Sequence, residues 1–229
     1  MSDSLRTQLK DNDELRFDFG VNKMKEQAYV WDKFVRLFHW LLVILFVVSY
    51  LSAEEVQVVH TYSGYTIFCL VMSRCLWGFL GSRHARFSDF VYAPGKTISY
   101  LKSMASGNPK RYLGHNPAGG VMVVAILITL SMTTLSGMKL LAIEEGEGPF
   151  ADVNVSLAKA AYADEDEYEH NAKEDDHEEK EEFWEEIHEF FVNLMLLLIV
   201  IHIVGVFLAS RQHGESLVKA MVTGYKDRE

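Results

Sequence analysis

Apolar residues along this chain are gathered into four long blocks rather than spread evenly. The blocks cover about residues 34–53, 58–80, 118–142 and 190–209. Each is close to the ~20 residues that an α-helix needs to cross the ~30 Å hydrocarbon core of a bilayer. The third block is the most uniform, since no formal charge occurs between Ala118 and Met138. The pattern predicts an all-α integral membrane protein, built as a bundle of four transmembrane helices.

The polar segments between these blocks divide the chain into four parts. Residues 1–28 form a flexible tail, and residues 29–142 contain three spans with their loops. Residues 143–186 form an acidic loop, and residues 187–229 contain the fourth span and the C-terminal tail. The first part is rich in charge and has no apolar period, which is typical of a flexible segment. Within the connecting loop at 81–117, Thr97–Met104 is amphipathic and predicts a short interfacial helix.

Basic residues predict the orientation of the chain in the membrane. Residues 1–36 contain seven Lys and Arg and the 81–117 loop contains six, whereas residues 53–57 contain none. Residues 144–186 contain 18 Asp and Glu against three Lys, which puts a charge of −15 on this segment within a net charge of −10 for the chain. The positive-inside rule therefore predicts that both termini and the 81–117 loop are cytoplasmic and that the acidic loop is outside. No short apolar stretch with a cleavage site precedes the first block, so we expect no cleavable signal peptide.

Four histidines lie within or at the ends of the predicted spans, where ionisable groups are costly and usually have an internal partner. His39 begins the first span and His60 the second, whereas His188 and His202 are both on the fourth. The latter two stand 14 residues apart, a spacing that returns to nearly the same helix face about 21 Å further along. Matching depths pairs His39 with His202 near the inner face and His60 with His188 near the outer face. This arrangement predicts axial ligation of two haems that pass electrons across the bilayer.

Two glycines and two arginines accompany these histidines. Gly64 lies one turn from the histidine of the second span, and Gly205 lies three residues from the deeper histidine of the fourth. Each would let a flat macrocycle approach the helix backbone; close helix packing is the alternative. Arg36 and Arg74 lie at the cytoplasmic ends of their spans, where they can pair with haem propionates, anchor the spans as positive-inside residues, or both.

The remaining candidate ligands have simpler interpretations. Both cysteines lie inside the second span without a CxxCH context, so we expect buried structural thiols and no covalently attached c-type haem. Three further histidines lie in or beside cytoplasmic loops and are expected to be solvated or interfacial. Two more lie in the acidic loop, where a weak divalent-cation site stays open. The cysteines are Cys69 and Cys75. The three histidines in or beside cytoplasmic loops are His84, His115 and His213, and the two in the acidic loop are His170 and His177.

Several local motifs resemble one known family, the bacterial cytochrome b561 group, which is related to the b-type cytochrome subunits of nickel–iron hydrogenases. The resemblance covers about residues 29–229 apart from most of the acidic loop. It implies four transmembrane helices and two non-covalent b haems, with ligands from the first helix, the second helix and twice from the fourth, at His39, His60, His188 and His202. The long acidic insert departs from the compact members of the family. The motifs are Arg36-Leu37-Phe38-His39-Trp40, His60-xxx-Gly64-Tyr65, Arg74-Cys75-Leu76-Trp77-Gly78-Phe79, Ala85-Arg86-Phe87, Arg111–Gly120 and Ala220–Lys226.

The expected function is electron transfer across the bacterial cytoplasmic (inner) membrane, between the quinone pool and a periplasmic redox partner such as a c-type cytochrome with a basic face. No catalytic residue is assigned, and no nucleic acid is expected as a partner. One alternative is the membrane-anchor subunit of a periplasmic hydrogenase or similar dehydrogenase. A remote alternative is a membrane protein that handles divalent metals. Direct reduction of oxygen is disfavoured because bis-histidine iron has no open coordination position.

Overall fold

The computed structural model describes residues 27–107, 109–151 and 170–228, with the backbone alone for 170–176. This part of the chain is mainly helical, with one pair of short strands. The elements are β1 Gln27–Tyr29, α1 Lys33–Ser52, α2 Gln57–Leu80, a 3₁₀ turn at Arg83–Ala85, α3 Phe87–Phe90, α4 Pro94–Ala105, α5 Pro117–Glu144, α6 His170–His213, α7 Leu217–Thr223 and β2 Tyr225–Asp227.

Four helices in the described part of the chain, α1, α2, α5 and α6, are long and apolar enough to cross a membrane. This confirms the four predicted spans. Helix α1 packs along α2, α5 packs along α6, and α2 touches α5. Large apolar side chains such as Ile44, Val200 and Phe207 face outward and are more than half exposed. Such a continuous apolar surface on helices of this length is suited to lipid.

Helix α6 is much longer than the predicted fourth span. Its 44 residues correspond to about 66 Å, roughly twice the thickness of the hydrocarbon core. The sequence predicts the fourth span from residue 187 and a partly helical acidic segment before it, and in the structure one helix runs unbroken through both from residue 170. That segment has few apolar residues, but seven of its 17 residues are Glu, a strong helix former. An i,i+4 contact between His177 and Glu181 adds to this, so an already formed span can propagate into the segment.

The strands join the two ends of the described chain. β1 and β2 pair antiparallel, with Gln27 opposite Asp227 and Tyr29 opposite Tyr225. We call this end of the bundle the strand end, and the opposite end, from which α6 extends, the acidic end. The predicted flexible tail is two residues too long, since β1 begins at Gln27. Residues 1–26 lie outside the described residues. The predicted short helix in the 81–117 loop is present as α4, and its position at the membrane interface stays a prediction.

Capping side chains determine where the spans begin. Asp32 accepts a hydrogen bond from the backbone N–H of Val35 at 2.8 Å, and Asn116 accepts one from Gly119 at 2.7 Å. Asp32 also accepts hydrogen bonds from Trp77 and Ser82. Burial alone would raise the pKa of Asp32, but these hydrogen bonds outweigh it and hold the pKa below its usual value. The start of α1 is thereby tied to the end of α2.

The bundle has two apolar clusters, one at the strand end and one in the middle of the spans. A cluster at the strand end is formed by Ala28, Val30, Trp31, Val35, Ala85 and Ala220. The other joins all four spans through Phe38, Ile67, Val71, Leu127, Leu130 and Met195. Met195 lies midway along α6 between His188 and His202, seven residues from each. The two histidine levels are therefore divided by packed side chains rather than by an open channel.

Candidate functional site

Four histidines meet in two pairs, each of which shares α6. The inner pair consists of His39 on α1 and His202 on α6, with ring centroids 6.4 Å apart and planes inclined by 50°. The outer pair consists of His60 on α2 and His188 on α6, with centroids 6.2 Å apart and planes at 84°. The inner pair is nearer the strand end and the outer pair nearer the acidic end. These are the pairings expected from depth.

The spacing within each pair fits two imidazoles on opposite sides of one metal ion. Metal–imidazole bonds are about 2.0 Å long, and the centre of the ring lies roughly 1.1 Å beyond the nitrogen, so linear coordination places the centroids about 6.2 Å apart. No third His, Cys, Asp or Glu in the described ranges joins either pair to complete a metal site. A planar macrocycle that supplies the other ligands, such as haem, therefore fits each pair.

Backbone carbonyl groups fix the rings of the outer pair. His60 Nδ1 lies 2.9 Å from the carbonyl oxygen of Ser49, and His188 Nδ1 lies 3.0 Å from that of Thr133. A carbonyl can only accept, so Nδ1 carries the proton in both rings and Nε2 is left to bind a metal. Ser136 Oγ lies 3.1 Å from the same nitrogen of His188.

A glycine on α5 allows the outer pair to form. A Cβ atom at Gly137 would lie 2.9 Å from Cε1 of His188, closer than such atoms approach. α5 carries no histidine, but through Gly137, Thr133 and Ser136 it orients one of the histidines of α6. In the sequence these small residues fit close helix packing equally well.

The inner pair has no comparable anchor in the described residues. His39 Nδ1 is buried and has no hydrogen-bond partner there. The edge of the ring meets Trp40, with centroids 5.0 Å apart. One turn closer to the strand end, Arg36 donates a hydrogen bond from Nη1 to the carbonyl of Thr223 at 2.5 Å, while its buried Nε has no acceptor. Among the described residues, His39 therefore lacks the kind of backbone acceptor that holds each ring of the outer pair.

Arg74 is a buried cation at the same end of the bundle. It is only 2% exposed, and its Nη2 donates to the carbonyl of Ala85 at 3.1 Å. Its guanidinium lies 5.7 Å from the ring centroid of Phe87 and 5.9 Å from that of Phe90. The other terminal nitrogen, Nη1, is buried and has no acceptor among the residues that the structure describes. A buried guanidinium in this state is suited to an additional anion, such as a carboxylate of a bound cofactor.

The two glycines singled out in the sequence both face open space. A Cβ atom at Gly64 or at Gly205 would meet no other atom within 4 Å. Close helix packing, the alternative interpretation, therefore does not explain either residue. Room beside a ligand face is what a flat macrocycle requires. The position of both glycines as cofactor contacts stays a prediction.

Comparison with known proteins agrees with this geometry. The profile described as prokaryotic cytochrome b561 matches residues 30–224. The chain belongs to the prokaryotic cytochrome b561 family. It is 26% identical to a probable Ni/Fe-hydrogenase B-type cytochrome subunit of Azotobacter chroococcum over 58% of this chain and 68% of that one. It is 25% identical to the corresponding protein of Rhodobacter capsulatus over 61% of this chain and 64% of that one. No solved structure matches.

Membership of the cytochrome b561 family confirms the resemblance read from the sequence motifs. It establishes the protein as a membrane protein of the b-type cytochrome class, for which haem b is the implied cofactor. The matched region spans only about two thirds of the length of the relatives. Their names describe them as hydrogenase subunits, and this says nothing by itself about the partner of the present chain.

The remaining histidines of this cytochrome b561 homologue differ in their contacts and in their burial. His84 is paired with Asp89 at 3.0 Å, and His177 contacts Glu181 at 3.9 Å. The expectation of a solvated ring is wrong for His115, which packs between aromatic side chains with its Nδ1 buried. The side chain of His170 lies outside the described residues. Cys69 is exposed on the outward face of α2, so the expectation of burial is wrong there too.

An ion-pair cluster closes the strand end below the inner pair. Glu215 contacts Arg111 at 2.8 Å and the 95% buried Lys226 at 2.9 Å, and Lys226 also donates to the carbonyl of Tyr112 at 3.2 Å. Burial alone would raise the pKa of Glu215, but the two cations outweigh it and hold the pKa below its usual value. The cluster ties the C-terminal segment to the loop before α5.

Proposed function

We propose that this chain is a di-haem b-type cytochrome that carries electrons across the bacterial cytoplasmic membrane. The observation that supports this most directly is the presence of two histidine pairs with metal-spanning separations, one near each end of the bundle. His39 and His202 would hold the inner haem, and His60 and His188 the outer one. Iron held by two imidazoles exchanges single electrons without an open coordination position. Levels about 21 Å apart along α6 would divide the crossing into two shorter transfers.

The proposed topology has both termini, and hence the strand end, in the cytoplasm. The basic 81–117 loop lies at the strand end, and the acidic segment projects from the other end of α6, which agrees with the positive-inside rule. Arg36 and Arg74 would then interact with the carboxylates of the inner haem. Gly64 and Gly205 would give the macrocycles access to α2 and α6.

The proposed outer partner is a soluble, basic redox protein such as a periplasmic c-type cytochrome. The extension of α6 carries a row of exposed carboxylates that can attract a basic surface and accelerate encounter at low salt. Replacing these residues by glutamine should slow electron exchange with such a cytochrome and flatten its salt dependence. An unchanged rate and salt dependence would remove this partner. The residues are Glu178, Glu179, Glu182, Glu185 and Glu186.

The proposed lipid-soluble partner is a quinone. A cavity of about 300 Å³ opens between α2, α3 and α5, and its lining is almost entirely apolar: Cys75, Phe87, Val124, Leu127, Ile128, Ser131 and Met132. A groove of this kind is suited to a prenyl tail. Phe87 separates it from the guanidinium of Arg74. This arrangement favours quinone exchange toward the inner haem.

Vectorial electron transfer in liposomes tests the central function. Protein reconstituted around entrapped ferricyanide should pass electrons inward from an external reductant that cannot cross the bilayer. The His39→Leu variant should abolish this transfer while its outer haem remains reducible. His84→Leu is the matched control, because that ring is engaged with Asp89, and it should transfer normally. A wild-type rate equal to that of protein-free liposomes would contradict the proposal.

A second candidate function is the membrane-anchor subunit of a periplasmic hydrogenase-like dehydrogenase. The names of the relatives favour it, because each is described as a probable Ni/Fe-hydrogenase B-type cytochrome subunit. In that case a dehydrogenase should co-purify with the tagged chain from its own membranes and reduce its haem directly. The remote metal-handling alternative predicts a colourless protein with bound metal.

A further inference from the structure

Three buried nitrogen atoms at the strand end have no hydrogen-bond partner in the part of the chain that the structure describes. They are Nε of Arg36, Nη1 of Arg74 and Nδ1 of His115. Buried polar atoms are nearly always satisfied, because an unmade hydrogen bond costs about 1–3 kcal/mol. The three belong to separate segments, α1, α2 and the loop before α5. The two guanidinium nitrogens can only donate, and Nδ1 of His115 donates in the tautomer that carries its proton there, so an acceptor would satisfy all three.

His115 is held firmly in this position. Its ring lies 4.6 Å from that of Trp31 and 4.7 Å from that of Phe90. Its carbonyl accepts a hydrogen bond from the hydroxyl of Tyr92 at 3.4 Å, and the next residue, Asn116, caps α5. Rotation of the ring toward water would break this packing. A ligand shared with Arg36 and Arg74 therefore has to bind at the present position of the ring.

The charges around His115 favour an anion. Burial, followed by the charges of Arg74, Lys226, His84 and His202, lowers the pKa of His115 to about 3. Lys226 is neutralised by Glu215, and His84 is paired with Asp89. Arg74 has no carboxylate within ion-pair distance among the described residues, and it contacts the same ring, Phe90, as His115 does. Asp32 acts on its charge only from beyond ion-pair distance, so the positive charge next to the histidine has no directly paired carboxylate there.

We propose that His115 is a third donor that, with Arg36 and Arg74, binds the carboxylates of the inner haem. This rests on the proposed function, which places a haem between His39 and His202. Haem b carries two carboxylates, and three buried donors on three segments at the same end of the bundle can satisfy both. With the carboxylate present, Nδ1 carries the proton and donates it. His115 thus acts as a positioning residue for the inner haem and does not ligate the iron.

Two variants separate this role from simple packing. His115→Phe keeps a ring between Trp31 and Phe90 but removes both nitrogens, whereas His115→Gln keeps an N–H donor. Both are made in a His60→Leu background, so that only the inner haem is observed. His115→Phe should lower the midpoint potential, because a carboxylate that loses its donor stabilises oxidised iron more strongly, and it should lower haem retention. His115→Gln should restore most of both quantities.

The control is His84→Phe, which removes a nearby histidine that already has a carboxylate partner and should leave the potential unchanged. The proposal is overturned if His115→Phe has the potential and haem content of its parent. It is also overturned if His115→Phe and His115→Gln are shifted equally, since that result would indicate packing. A parent protein without inner haem would instead refute the proposed function itself, and so the two failures are distinguishable.

Discussion

The outer and inner histidine pairs have nearly the same spacing but very different surroundings. In the outer pair, both Nδ1 atoms are hydrogen-bonded to backbone carbonyls, of Ser49 and Thr133. In the inner pair, Nδ1 of His39 is buried and has no hydrogen-bond partner in the part of the chain that is described, and Arg36 lies one turn away on α1. The difference indicates that helix backbones preorganise the outer site. The inner site depends on a ligand that supplies negative charge.

This contrast has a consequence for redox potential. An imidazole that donates Nδ1–H to a carbonyl is a stronger ligand and favours oxidised iron, as do the carboxylates at the acidic end. The guanidinium groups of Arg36 and Arg74 act in the opposite direction and favour the reduced state. We therefore expect a lower potential at the outer pair than at the inner pair. Electrons would then run downhill from the periplasmic face inward.

The largest expected effect is the loss of one haem when one ligand is removed. His188→Leu should leave one haem per chain with the higher potential, and His39→Leu should leave one with the lower potential. His177→Leu, a histidine on the same helix but outside both pairs, should retain two. Haem quantitation and redox titration of the three variants check this. Equal potentials in the two single-haem proteins would contradict the expected difference in redox potential between the pairs.

The next largest effect should come from filling the space beside each pair. Gly64→Leu should lower occupancy of the outer site and Gly205→Leu that of the inner site, because each side chain would enter the room expected for a macrocycle. Gly95→Leu places the same side chain into open space on α4, away from both pairs. It should bind haem normally. Normal haem content in all three variants would argue against macrocycles at these helix faces.

A smaller effect, confined to the inner region, should follow from Glu215→Gln. Losing this charge leaves the buried Lys226 uncompensated, at a cost on the order of 3 kcal/mol. Because the pKa of Glu215 is lowered in the folded protein, its stabilisation is present above the ordinary carboxyl pKa and is lost as the pH falls through the folded value. Thermal unfolding across acid pH should show this loss in wild type but not in the variant. The outer haem should be the last to dissociate in both.

The smallest effect should come from Ser136→Ala. The carbonyl of Thr133 remains to hold Nδ1 of His188, so the change should stay below the ~10-fold loss of affinity that removal of an outer-shell partner brings. A slight shift in the outer potential, with the inner potential constant, is the expected titration result. A larger shift at the inner pair would mean that the two sites are coupled through α5.

Much of the architecture was predictable because each membrane-spanning helix requires a long apolar block, which is visible in the sequence. Apolar blocks of span length located α1, α2 and α5, and the 14-residue spacing on α6 paired its histidines with the correct partners in depth. The acidic part of α6 was only partly anticipated, since helix propensity rather than an apolar face extends it. The pairing of β1 with β2 was missed, because three-residue strands 200 positions apart leave no local pattern.

The surroundings of the site were harder to predict. Every residue has a backbone carbonyl, so nothing in the sequence marks those of Ser49 and Thr133 as the acceptors for histidine. The role of Gly137 depends on the approach of α6 to α5. His115 was taken for a loop histidine because the aromatic rings that enclose it, Trp31 and Phe90, come from distant segments. Contacts of this kind arise only from the folded arrangement.

The most direct test of the account is a reduced-minus-oxidised optical spectrum of the purified protein, combined with pyridine haemochrome quantitation. Two low-spin b haems per chain, one for each histidine pair, is the predicted result. A single haem would show that one of the two pairs does not ligate iron. A protein without haem would contradict transmembrane electron transfer by this chain.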